Sequence, residues 1–215
     1  MLKVKIKASA VSNLSDARYF AARGAEWLGF RLETGVEGSL SLPAAKAIKD
    51  WVDGVKIVGE FDFSSPPAML EAAETLGLDA VQVGMFATKN ELASLNGIPV
   101  FKEVIVQPGA SEEELASHLR QFSPACEFFL LDFVKAGFTW QDLKQNRPLP
   151  LRFLQETCQN YPVILSLDFA PGELDEMLET LKPAGLNLTG GDEEKVAFKS
   201  YDELDEIFDW LELTE

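Results

Sequence analysis

The sequence predicts an α/β fold of one domain, on three observations. A short apolar strand followed by an amphipathic helix recurs eight times between Lys3 and Leu211. Strands alternating with helices of this length form right-handed βαβ units around a parallel sheet. No linker, low-complexity tract or break in composition divides the 215 residues. Eight such units in so short a chain close into a (β/α)8 TIM barrel spanning residues 1–215, near the small end of that fold's size range.

The strands are read at Val4–Ala8, Trp27–Leu32, Val55–Phe61, Ala80–Val83, Val100–Val106, Phe128–Phe133, Val163–Leu167 and Gly185–Leu188. Helix-period stretches separate them: Ser15–Arg23, Pro43–Val52, Pro66–Leu76, Lys89–Leu95, Glu112–Phe122, Leu149–Gln159, Glu173–Leu181 and Tyr201–Leu211. Asn13 before Ser15-Asp16 is a capping side chain with an early acid, and Ser111-Glu112-Glu113-Glu114 has the spacing of a capping box. Ser65-Pro66 fits a cap followed by proline at the first helical position. Gly24, Gly54, Gly77 and Gly97 each fall between a helix and the next strand, where helices end. Leu115, Leu119 and Phe122 share one face of the fifth helix, the face an outer barrel helix buries. Disorder is expected at the ends and in the Val134–Pro148 connection.

Composition excludes several classes. With 35 acidic and 19 basic residues the net charge is −16, which disfavours nucleic acid, whose binding rests on neutralising phosphates. It disfavours an anionic membrane surface too. There is no apolar run of membrane-spanning length, and the N-terminus enters a strand without a signal-peptide core. A cytoplasmic location is the expectation. Cys126 and Cys158 sit in apolar surroundings and give neither metal spacing nor a disulfide framework. They read as buried small hydrophobes. No metal or cofactor is expected. His118 lies mid-helix and reads as a helix-surface residue.

A (β/α)8 barrel places its chemistry at the C-terminal strand ends. Lys5, Lys7 and Ser9 share one parity on the first strand and point into the barrel. A lysine there needs a partner, and Glu103 or Asp132 is the expected one. Arg31, Glu33, Glu60, Asp62, Asp132, Asp168 and Asp192 fall at or just after strand ends, where they read mainly as solvated loop acids around one arginine.

Lys3-Val4-Lys5-Ile6-Lys7, Ser12-Asn13-Leu14-Ser15-Asp16-Ala17 and Leu28-Gly29-Phe30 resemble the opening of phosphoribosylanthranilate isomerases. Val58-Gly59-Glu60-Phe61, Leu76-Gly77-Leu78-Asp79-Ala80-Val81-Gln82, Leu130-Leu131-Asp132 and Pro162-Val163-Ile164-Leu165 continue the likeness in order along the whole chain. The resemblance implies an Amadori rearrangement that opens a ribose ring in tryptophan synthesis. A carboxylic acid protonates the ring oxygen, a cysteine thiolate takes the C2 proton, and glycine-rich turns after the seventh and eighth strands hold phosphate.

On that resemblance Asp132 takes the place of the general acid. The catalytic cysteine falls on Ser9, whose hydroxyl has no anionic form comparable to a thiolate near neutral pH. The paired glycines after the seventh strand are replaced by Leu167-Asp168. Asn187 replaces an acid, the substrate-clamping arginine aligns near Ser39, and Gly84 stands where a histidine is expected. Thr189-Gly190-Gly191 keeps a glycine pair, but Asp192-Glu193-Glu194 follows it. Each carboxylate close to a phosphate adds an unfavourable term of roughly 1–4 kcal/mol.

The catalytic candidates are therefore Asp132 and Ser9. The substrate-binding candidates are Lys7, Arg31, Gln82, Asn187, Thr189, Gly190 and Gly191. The reading is a phosphoribosylanthranilate isomerase-like barrel without efficient isomerase activity, serving as a binding module or acting on an altered ligand. The alternative is a genuine but diverged isomerase. The implied partner is a small molecule, phosphorylated or not, or another protein, with the chain a monomer or homodimer.

Overall fold

The computed structural model describes residues 2–95, 97–190, 193–195, 198–199 and 201–212, the backbone alone for 193–195 and 198–199. Eight parallel strands close a barrel in chain order: β1 (Lys5–Ser9), β2 (Trp27–Arg31), β3 (Lys56–Phe61), β4 (Ala80–Val83), β5 (Val100–Ile105), β6 (Phe128–Asp132), β7 (Val163–Ser166) and β8 (Gly185–Thr189). Closure is made by β1 on β8, with Lys7 opposite Asn187 and Ser9 opposite Thr189. Around it run α1 (Leu14–Ala22), α2 (Leu42–Lys49), α3 (Pro66–Leu76), α4 (Lys89–Ala93), α5 (Glu112–Phe122), α6 (Trp140–Lys144), α7 (Leu151–Asn160), α8 (Leu174–Leu181) and α9 (Asp202–Leu211). A short antiparallel pair, Glu193–Lys195 with Phe198–Lys199, precedes α9.

Local chemistry sets the helix ends. The Asn13 side chain accepts from the Asp16 N–H at 2.9 Å, and Ser111 accepts from the Glu114 N–H at 3.1 Å. Gly77 closes α3 in the left-handed region, at φ 59°, where a side chain would be strained. Val134–Pro148, expected to be disordered, is instead ordered. It holds a 3-10 turn at Val134–Ala136 and then α6, started by a reciprocal capping box between Thr139 and Asp142. Trp140 of α6 is 1% exposed, and burying that ring holds the segment against the barrel. His118 is also less exposed than expected. It is half-buried with its ring 4.6 Å from Phe122, and burial, aided by nearby Lys102, lowers its pKa.

Strand parity builds two apolar shells. Outward residues such as Ile6, Phe30, Val81, Phe129 and Leu165 pack against the helices. Inward ones fill the bottom of the barrel, where Trp27, Phe101 and Phe128 meet edge to face with centroids 5.0–5.4 Å apart. Lys5 finds its partners there, its Nζ lying 5.4 Å from the Trp27 ring and 5.7 Å from Phe128.

One layer higher the interior turns polar, and a glycine makes room for it. A Cβ on Gly29 would lie 2.0 Å from Glu60 Oε1 and 2.9 Å from Lys7 Nζ. We expect Gly29→Ala to split that pair and destabilise the barrel by on the order of 3 kcal/mol, measured as a lowered urea midpoint. A midpoint within error of the parent would show that the pair tolerates displacement.

Candidate functional site

The upper half of the barrel collects the polar inward residues. Lys7 is fully buried and donates from Nζ to Glu60 Oε1 at 2.5 Å, to Ser9 Oγ at 2.6 Å and, more weakly, to Asn187 Oδ1 at 3.5 Å. The partner expected for it, Glu103 or Asp132, is corrected to Glu60, which parity places on the facing side of β3. Glu60 Oε2 also accepts from the Ala10 N–H at 3.0 Å. Burial pushes the Glu60 carboxyl upward, but Lys7, Ser9 and the Ala10 N–H outweigh it, and the group titrates below the usual glutamate range. Ser9 Oγ in turn donates to Asn187 Oδ1 at 2.5 Å. Its lone pair faces an ammonium and its proton faces an amide oxygen.

Asp132, at the end of β6, is 4% exposed and points inward. Its Oδ1 accepts from the Lys135 N–H at 2.9 Å. The Lys135 side chain turns back to Glu103 Oε1 at 2.6 Å. Burial raises the Glu103 pKa, with Lys135 opposing and Asp132 and Asp62 adding to the rise. Glu103, Asp62, Asp132 and Lys135 thus form a second, more acidic cluster across the mouth from Lys7.

Beside these lies a cavity of about 610 Å³ at the ends of β7 and β8, lined by Ser166, Leu167, Asp168, Asn187, Thr189 and Gly190 and roofed by Asp202 and Glu203 of α9. A Cβ on Gly190 would lie 2.7 Å from Asp16 Oδ2, so only glycine lets the turn approach α1. The Asp16 carboxylate is fixed by Asn13 Nδ2 at 2.8 Å and the Tyr201 hydroxyl at 2.7 Å. Gly191, the second glycine of that pair, lies outside the described residues, as does Asp192. Arg31 points inward at the top of β2 and makes no ion pair among the described residues. Gln82 faces inward on β4 beside Glu60. Among the described residues no group of His, Cys, Asp and Glu stands close enough to hold a metal ion, and no helix is long and apolar enough to cross a membrane.

No family model matches the chain. Among curated proteins, the N-(5'-phosphoribosyl)anthranilate isomerase of Maridesulfovibrio salexigens is 22% identical over 207 residues, covering 96% of this chain and 98% of that one. Among solved structures, the phosphoribosyl anthranilate isomerase of Thermus thermophilus superposes with a TM-score of 0.75 at 26% identity, covering 97% and 98% of the two chains. Along its whole length the chain is similar to the phosphoribosylanthranilate isomerases. A further isomerase structure, solved with reduced 1-(o-carboxyphenylamino)-1-deoxyribulose 5-phosphate, has the same fold at a TM-score of 0.75 and 20% identity.

The resemblance aligns Asp132 with that family's acid and Ser9 with its thiol, and both residues stand at the C-terminal ends of their strands. Neither cysteine substitutes for the thiol. Burial pushes the Cys126 thiol up to about 11 and Cys158 up to about 12, and both pack against the outer apolar shell, away from the mouth. Glu60 was visible in the sequence only as one acid among several at strand ends. Its inward parity together with the missing side chain at Gly29 is the signal that marks it as the partner of Lys7. Lys102 carried no such signal. It faces outward on β5 yet is fully buried.

Because the Glu60 carboxyl titrates below its ordinary value of 4.5, its pairing contributes stability above that value and loses it as pH falls through the folded value. Glu60→Gln should remove this acid-side loss and, at neutral pH, cost on the order of 3 kcal/mol by leaving Lys7 buried without a counter-charge. Urea unfolding of both proteins from acidic to neutral pH checks this. Equal stability at neutral pH would mean the ammonium finds another partner.

Proposed function

We propose that the chain is a diverged phosphoribosylanthranilate isomerase, retaining the acid half of the proton transfers and running the base half poorly. The full-length match to named isomerases supports the reaction class. The observation that carries the reading in the geometry is Asp132, buried, inward and at the end of β6. In this reading Asp132 gives its proton to the ribose ring oxygen. The C1–O bond breaks as the nitrogen lone pair forms a C=N bond. Loss of the C2 proton then gives the enolamine, which tautomerises to the ketose. Ser9 stands nearest the position of the proton acceptor. A hydroxyl already accepting from Lys7 and donating to Asn187 is a weak base, and losing a tuned proton acceptor costs about 10²–10⁴ in rate.

That same network favours a second reading, a barrel that binds its ligand without turning it over. One assay separates the two, following the loss of phosphoribosylanthranilate fluorescence at high protein concentration. The isomerase reading expects slow turnover by the wild type, none by Asp132→Asn, and a gain of at least about a hundredfold in Ser9→Cys. No turnover by either the wild type or Ser9→Cys leaves only the binding reading.

A further inference from the structure

The acidic cluster across the mouth from Lys7 contains a carboxyl that the proton-transfer scheme leaves unused. Glu103 points inward on β5, one inward position below Asp132 of the neighbouring strand, because the register sets Glu103 opposite Leu130 and Ile105 opposite Asp132. It is 2% exposed, and its Oε1 accepts from Lys135 Nζ at 2.6 Å. Lys135 touches both carboxyls, since its main-chain N–H donates to Asp132 Oδ1 at 2.9 Å. The 3-10 turn that carries it begins two residues past Asp132. One short turn thus fastens the β5 carboxyl to the β6 carboxyl.

Charge decides what this cluster can hold. Glu103, Asp132 and Asp62 surround Lys135, the one cation of the group among the described residues. The inward side chains of β4 and β7 at this height, Gln82 and Ser166, are uncharged. Lys102 is also near Glu103, but it lies on the outer face of β5. The Lys135 side chain is 41% exposed, so water weakens its pull. Full ionisation would leave negative charge uncompensated in a largely buried space, and keeping one proton removes most of that cost. Burial, with Asp132 and Asp62 adding to it, already lifts the Glu103 carboxyl above its ordinary 4.5 against the opposing Lys135. A general acid must hold a proton before it gives one, and two neighbouring carboxyls that share a proton meet that condition.

We propose that Glu103 is a positioning residue for the proton that opens the ring: Glu103 and Asp132 share one proton between β5 and β6, and Asp132 delivers it. The use of that proton rests on the isomerase reading. Its sharing does not. In a turnover the shared proton passes from Asp132 to the ribose ring oxygen as the C1–O bond breaks, leaving both carboxylates beside Lys135. The C2 proton leaves on the Ser9 side and reaches water, and the pair takes one back from water, so the isomerisation consumes none. Lys135 pulls Glu103 toward its ionised form and thereby pushes the shared proton toward Asp132.

The first half of the test needs no turnover. The intact protein, labelled with 13C at its Glu carboxyls, is titrated by NMR, and the Glu103 signal is assigned by its loss in Glu103→Gln. In the wild type that signal should move in two steps, the upper one above the usual carboxylate range. Asp132→Asn should leave one step at lower pH, and Lys135→Met should raise the upper step by removing the opposing cation. A Glu103 signal that moves in one step and is unaffected by Asp132→Asn overturns the shared proton. The second half follows turnover against pH in the Ser9→Cys protein with and without Glu103→Gln. The alkaline fall in kcat should move to lower pH, a loss of about tenfold at neutral pH that shrinks toward acid, with KM unchanged. An equal loss at every pH, together with a lowered urea midpoint, makes Glu103 purely structural and overturns its role. A Ser9→Cys protein without turnover ends the isomerase reading, and the Glu103 titration then still decides the shared proton.

Discussion

The buried ion pair between Lys7 and Glu60 is the constraint around which the upper barrel is arranged. Moving both charges out of water is costly, and attraction offsets that cost only with short contacts and every remaining proton or lone pair satisfied. Here the requirement is met from four strands. β1 supplies the ammonium, β3 the carboxylate, β8 the Asn187 amide, and β2 withholds a side chain at Gly29. The loop after β1 adds its Ala10 N–H. Any change at one of these positions is therefore felt at the others.

The pair also sets the chemistry available at the mouth. With its ammonium 2.6 Å from Ser9 Oγ, Lys7 occupies the lone pair that a proton acceptor would use. A thiolate at the same place would be stabilised by that ammonium. A hydroxyl, far from its own pKa, is merely fixed in orientation. The surroundings thus suit an anion at position 9, while the residue there cannot become one near neutral pH.

Charge is distributed unevenly around the mouth. From β5 to β8 the groups are mostly acidic: Glu103, Asp132, Asp168, then Asp202 and Glu203 of α9, with Lys135 as the counterweight. From β2 to β4 the acids Glu33 and Glu60 are engaged, by the Asp62–Ser64 turn and by Lys7, and stand with Asp62, the Arg31 guanidinium and the Gln82 amide.

How much of this was legible in the chain itself divides by range. Strand–helix alternation, caps at Asn13 and Ser111, the inward parity of Lys7 and Ser9, and the place of Asp132 at the end of its strand were readable, because each depends on neighbours within a few residues or on the period of two along a strand. The Val134–Pro148 connection was misjudged because its order comes from burying Trp140 against the barrel, a contact absent from local pattern. The partner of Lys7, the burial of Lys102 and the stacking of Phe63 on Phe86 were likewise decided in the folded molecule. They join residues on different strands and loops, and which of several acids or rings meet depends on barrel register and on a missing side chain, neither of which a linear string expresses.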